Sequence, residues 1–207
     1  MVSRGTTRGG RANQLWKGLA ASVLLLAAAP LEAQEHDPWA KGSEWLQVRA
    51  GYAKSTVAGA ADGNFGLGFG YERFRNAKWS FGAQASFDVL GRYGDAVEIE
   101  SPWTVEALRH YRWKTPARPY VGIGGGAYYY KVSGTGDDHA GINPGVYLAT
   151  GINTQVSTHG LLGFDVRMSW VQLAYQDNPV FGGAATVDEH QNRGMHWSVK
   201  GTYAWAF

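Results

Sequence analysis

The sequence predicts an all-β fold, an eight-stranded antiparallel up-and-down transmembrane β-barrel. Three observations carry that prediction. Apolar and small or polar residues alternate with period 2 along the chain, and no 3.6-residue stripe competes. The alternating segments are about as long as the 9–11 residues a tilted strand needs to cross a bilayer, against a mean of 5–6 in ordinary sheets. The connections between them are short and long in turn. Composition agrees: 207 residues include 29 Gly, 9 Trp and 11 Tyr, with only 17% charged against an average of about 25%. Zero Cys excludes a disulfide scaffold, a Cys-based zinc site and a Cys nucleophile. A net charge of +2 with no long basic run argues against nucleic acid as a partner.

Residues 1–33 are expected to be a cleaved signal peptide. Arg4, Arg8, Arg11 and Lys17 precede the apolar run from Leu19 to Ala29, and small Ala33 closes the segment. The run is too short to span roughly 30 Å of hydrocarbon. Residues 34–44 then read as a short polar lead-in, and 45–207 as the barrel.

Eight strands are predicted, at 45–54, 63–74, 78–90, 102–113, 119–131, 144–156, 161–173 and 194–207. In the second, Phe65, Leu67, Phe69 and Tyr71 share one face, opposite Gly66, Gly68, Gly70 and Glu72. In the third, Trp79, Phe81, Phe87 and Val89 oppose Ser80, Gly82, Gln84 and Asp88. The last sets Trp197, Val199, Tyr203, Trp205 and Phe207 against His196, Ser198, Lys200 and Thr202. Short turns at 75–77, 114–118 and 157–160 alternate with long loops at 55–62, 91–101, 132–143 and 174–193. An even strand count puts both termini on one side and all four long loops on the other.

Alternation alone fits a soluble lipocalin-like binder as well as a membrane barrel, because the two differ in which face is inside. The polar face is dominated by Gly, Ser, Gln and Asn, which suit a narrow interior. The aromatics Trp79, Trp103, Tyr111, Trp113, Tyr129, Trp205 and Phe207 gather at predicted strand ends, as interfacial girdles would. The apolar face is therefore expected to meet lipid.

The ending Tyr203-x-Trp205-x-Phe207 resembles the C-terminal assembly signal of Gram-negative outer-membrane proteins. The stretch Arg118-Pro-Tyr-Val-Gly-Ile-Gly-Gly-Gly-Ala-Tyr128 looks like the fifth strand of the small OmpA/OmpX-type barrels. The resemblance implies a monomer in the cell outer membrane, in contact with its lipid and lipopolysaccharide and with the outer-membrane assembly machinery. It does not extend to cell-wall tethering.

Several constellations invite chemistry. Gly122–Gly126 lacks the following helix that a phosphate loop needs, so small interior residues explain it better. His196, Ser198 and Asp165 are the types of a nucleophilic triad, and small barrels that modify lipid A do use Ser and His. Parity nevertheless points His196 and Ser198 into the lumen. Asp137, Asp138 and His139, and Asp188, Glu189 and His190, read as solvated loop polarity, so neither a metal nor a cofactor is expected. Parity also places Arg49, Glu72, Asp88, Glu106, Arg112, Asp165, Arg167 and Lys200 inside, four acids and four bases, together with His110 and His196. Buried charges of this kind persist only when paired, which would plug the lumen. Arg109 falls on the lipid face and requires a bulge or a place near the rim. The sequence therefore predicts a non-enzymatic barrel with a structural or surface-interaction role. A lipid A-modifying enzyme, a small or gated pore and the lipocalin-like binder remain as alternatives.

Overall fold

The computed structural model describes residues 37–56, 63–93, 96–113, 115–134, 139–171 and 194–207. The expected signal segment and the tips of the long loops lie outside them. Eight strands follow in chain order: β1 (Glu44–Ser55), β2 (Asn64–Asn76), β3 (Trp79–Tyr93), β4 (Ala96–His110), β5 (Ala117–Ser133), β6 (His139–Gln155), β7 (Gly160–Val171) and β8 (Gly194–Ala206). Each pairs antiparallel with the next, and β8 returns to β1 to close the barrel. Closure runs from Trp45↔Ala206 to Ser55↔His196, so no strand edge is left along the seam.

The alternation resolves as an inverted molecule, apolar outside and polar inside. Phe69, at mid-strand in β2, is 64% exposed, and Leu46, Val48, Leu67, Val105, Ile123 and Leu148 are exposed with it. Arg49, Glu72, Asp88, Glu106, Asp165 and Lys200 are buried. A lipocalin-like arrangement would reverse both sets. Only a surrounding hydrocarbon phase makes so many exposed large apolar side chains stable.

Two of the long loops expected from sequence are mostly strand. β3 and β4 pair as far as Tyr93↔Ala96, and β5 and β6 as far as Val132↔His139. In these four strands the exposed large apolar residues stop at Phe87, Trp103, Tyr129 and Ile142. Beyond that level hydrogen-bonded pairing continues, but no lipid demands an apolar outer face. The hydropathy alternation therefore fades while the strands persist. A register shift between Val89 and Gly91 marks the transition and inserts Leu90 as an extra residue on the β3 side.

At the other end β4 stops at His110, three residues short of the expected boundary. His110 N–H donates to Lys78 carbonyl (2.7 Å), and Tyr111 N–H turns to Pro119 carbonyl (2.8 Å). Arg112 thus lies past the strand, exposed to solvent. Its assignment to the lumen is corrected, because parity has no meaning once the ladder has ended. Arg109 sits on the outer face next to this strand end, its guanidinium 5.8 Å from the Trp79 ring centre and 5.3 Å from that of Tyr111.

The lead-in is no loose tether. From Asp37 to Ser43 it folds across the terminal mouth of the barrel and pairs with β2, Gly42 N–H donating to Phe74 carbonyl and Phe74 N–H to Ser43 carbonyl. Gly42 adopts φ 93°, a conformation that favours glycine at this turn. Trp39 packs edge-on against Trp45 (5.8 Å), and both join Phe74, Leu161, Ala204 and Ala206 in an apolar floor. Trp45 Nε1 donates to Pro38 carbonyl at 2.7 Å. Arg118 stacks on the Trp39 ring at 4.3 Å and reaches Asp37 at 3.4 Å, holding the segment in place.

Candidate functional site

The chemistry-bearing side chains converge in the lumen, because every second residue of eight strands points there. Room is made by small neighbours. A Cβ on Gly70 would stand 3.2 Å from Arg49 Nη2, and one on Gly124 would run into the Tyr147 ring. Gly124 thus lies against the Tyr147 ring while Ile123 points outward, and the Gly122–Gly126 run continues as strand within β5, so it forms no phosphate loop.

Above the apolar floor lies a polar relay. Ser80 Oγ donates to Glu72 Oε2 at 2.9 Å and sits 2.9 Å from His110 Nε2. Glu72 accepts from Gln47, whose side-chain oxygen accepts in turn from Arg49 at 3.1 Å. Arg49 also donates to Gln84 and approaches Glu106 (3.6 Å) and Asp165 (3.9 Å).

Arg167 is the hub of the next layer. Its Nη2 reaches Glu106 Oε2 at 3.0 Å, its Nε reaches Asp165 Oδ1 at 2.7 Å, and its plane lies 4.7 Å over Tyr147. Tyr120 and Tyr147 hydroxyls donate to Asp165 (2.6 Å) and Glu106 (2.7 Å). Both carboxylates thus combine two guanidinium groups with a phenol, the pairing that makes burial of charge tolerable. The strands joined run from β1 to β7, so the network cross-links the barrel across its bore.

Nearer the loop end, Lys200 Nζ meets Asp88 Oδ1 at 2.5 Å, with Ser86 Oγ donating to the second Asp88 oxygen at 3.0 Å. His196 Nε2 stands 2.9 Å from Glu100 Oε1. Glu100 was not anticipated, since its segment read as loop. Parity counted back along β4 from Glu106 would have found it. With Arg112 outside and Glu100 inside, the buried acids Glu72, Asp88, Glu100, Glu106 and Asp165 face Arg49, Arg167 and Lys200 plus two histidines. The expected balance of four and four is corrected accordingly.

Between the layers a cavity of about 40 Å³ is lined by Asp88, Glu100, Thr104, Tyr128, His196 and Lys200, among others. That is space for about three waters. His196, Ser198 and Asp165 do not assemble as a triad: Asp165 is engaged by Arg167 and Tyr120, and His196 faces Glu100. Among the described residues no cluster of three or more His, Asp or Glu is arranged to hold a metal. The acidic side chains of both loop clusters, Asp137–His139 and Asp188–His190, lie outside the described residues.

On the outside, Tyr203, Trp205 and Phe207 are all exposed on β8 and its end. Phe207 exchanges backbone hydrogen bonds with Glu44 (3.0 and 2.9 Å), and His159 stacks on Trp205 at 5.8 Å.

No protein-family model matches the sequence, and no curated protein matches it. The solved structures do. Neisserial surface protein A superposes with a TM-score of 0.63 at 17% identity, over 81% of this chain and 100% of that one. The fold is that of the small outer-membrane barrels. The N-terminal β-barrel domain of Pseudomonas aeruginosa OprF (TM-score 0.53, 9% identity, 81% and 98% covered) has the same architecture. So does Ail, the attachment invasion locus protein of Yersinia pestis (0.51, 11%, 81% and 99%). At these identities the likeness speaks for architecture alone, and the role has to be argued from this chain's own residues.

Proposed function

We propose that the protein is a monomeric, non-enzymatic outer-membrane barrel, with a structural or surface-interaction role and a sealed lumen. The observation that carries the reading is the Arg167–Glu106–Asp165 cluster lying across the bore above an apolar floor. A pore needs a continuous water column, and an acyl-chain enzyme needs a cleft open to lipid. The polar groups here are consumed in holding each other, and the cavity beside them admits only a few waters. On this reading the terminal end faces the periplasm, the extended β3–β6 ribbons rise on the outer side, and the exposed belt meets phospholipid and lipopolysaccharide. Tyr203, Trp205 and Phe207 then serve recognition by the assembly machinery. The test is migration of folded against boiled protein from outer-membrane fractions, combined with planar-bilayer recording. Heat-modifiable protein with no steady conductance is expected. An unshifted band, or protein soluble without detergent, would overturn the membrane assignment.

A further inference from the structure

The outer surface at the terminal end carries a basic groove that the lumen reading does not use. Its walls are Lys41 and Gly42 of the lead-in and Arg73 and Arg75 of β2; exposed Phe81 supplies the apolar side chain, while Phe74 contributes backbone only, its ring lying in the floor. The groove encloses about 330 Å³. It exists because the lead-in pairs with the end of β2 through Gly42 and Phe74, which stands Lys41 beside the strand. Arg73 is tied to Glu44 at 3.4 Å. Lys41 and Arg75 are exposed and have no acidic partner among the described residues.

The cationic character continues round the rim. On β3 the outward neighbours are Phe81, which pairs with Arg73, and Trp79, which pairs with Arg109. Arg109 is held between the Trp79 and Tyr111 rings, with Lys78 exposed in the adjoining turn. Cations flanked by exposed aromatics, at the boundary of an apolar belt, match the level at which lipid phosphates lie. Aromatic rings settle at the headgroup level, and Lys and Arg reach for phosphate from there.

We propose that this groove is a binding site for the headgroup of an anionic phospholipid in the leaflet at the terminal end. Lys41 and Arg75 contact the phosphate, and Phe81 meets the first methylenes of the chains. Guanidinium and ammonium groups match phosphate oxygens in charge and in hydrogen-bond donors, and Arg offers a bidentate fork. Exposed Phe81 beside the cations favours a phosphate that carries acyl chains over a free ion, which would leave that ring facing water. The proposal rests on the membrane-barrel reading above.

Protein refolded into phosphatidylcholine vesicles is first checked for a heat-modifiable band, then extracted into detergent and examined by native mass spectrometry with phosphatidylglycerol or phosphatidylcholine. Wild-type protein should retain phosphatidylglycerol preferentially. Lys41→Gln with Arg75→Gln should lose about fivefold in retention for each charge removed, about 1 kcal/mol apiece. The single variant Arg75→Gln guards against misfolding of the double variant, and Lys54→Gln at the other end should retain lipid like the wild type. Millimolar inorganic phosphate should not displace the lipid; if it does, the site takes a free ion and the proposal falls. Insertion without preference for phosphatidylglycerol, or equal retention by wild type and variants, overturns the groove alone. Failure to insert overturns the membrane reading and the groove with it.

Discussion

Arg167 on β7 and Glu106 on β4 meet at 3.0 Å across the lumen, although two strands separate theirs in the sheet. The contact braces opposite walls, and each partner is also held by a tyrosine or a second charge. Arg167→Met should therefore leave Glu106 and Asp165 as close carboxylates with only Arg49 between them. The expected loss is about 3–5 kcal/mol, at the lower end because Arg167 keeps some access to water. Urea titration of vesicle-embedded barrel measures it. Adding Glu106→Gln should recover part of the loss, a non-additivity of at least ~0.5 kcal/mol; strict additivity would show that the pair is not coupled.

Conductance tests the proposed sealing of the bore and separates the contributions of floor and charge cluster. Wild-type protein in planar bilayers should show no large, steady current. Trp39→Gly opens only the floor, so current should stay low. Arg167→Ala or Glu106→Ala should make the barrel leaky or unstable. A large unitary conductance from unmodified protein would reject the sealed lumen and promote a pore.

Lipid exposure is tested on β2. Phe69→Arg places a cation at mid-strand on the outer face, and should cost about 2–4 kcal/mol in a bilayer. A fluorophore at Phe69 should be quenched by a lipid-soluble quencher, while one at Gln47, buried in the lumen, should not. Equal quenching at both would contradict the assignment of faces.

The lumenal serine and histidine should be dispensable for lipid chemistry. Lipid A mass spectra from cells carrying wild-type protein, Ser198→Ala or no protein should be the same. A mass change that depends on Ser198 would establish catalysis despite the engagement of Asp165 by Arg167.

Much of this architecture is legible in the chain, and the illegible parts share a cause. Alternation marks a strand only where two unlike phases flank it. Phe65 to Tyr71 and Trp79 to Phe87 lie between lipid and lumen, and their faces follow from parity. Glu98 and Glu100 belong to strand that has left the lipid, so hydropathy cannot distinguish their segment from loop. Arg112 fails for the opposite reason, since alternation persists in Tyr111–Trp113 after the ladder has stopped. The lead-in gives no periodic signal at all. Its Trp39 is buried through contacts with residues far away in sequence, and only pairing with β2 and the aromatic floor reveals it.

Deletion of Phe207 should reduce the amount of protein inserted in the outer membrane. Besides its exposed ring, this residue supplies the backbone hydrogen bonds to Glu44 that fasten the end of the β8–β1 seam. Comparing the deletion with Phe207→Ala in fractionated cells separates the two contributions. Equal, undiminished insertion of both would leave the terminal aromatic with a lipid-anchoring role only.

The floor around Trp39 also orders events in time. Its companions come from β1, β2, β7 and β8, the first and last strands to be made, so the surface that receives the ring does not exist until the seam has closed. Contacts of such sequence separation are slow to form, since the chain between them must be organised first. The Trp39 ring is accordingly expected to reach its full burial last, and its indole would serve as a clock hand. Its passage from water into the floor would timestamp completion of the ring, separately from the earlier growth of the sheet.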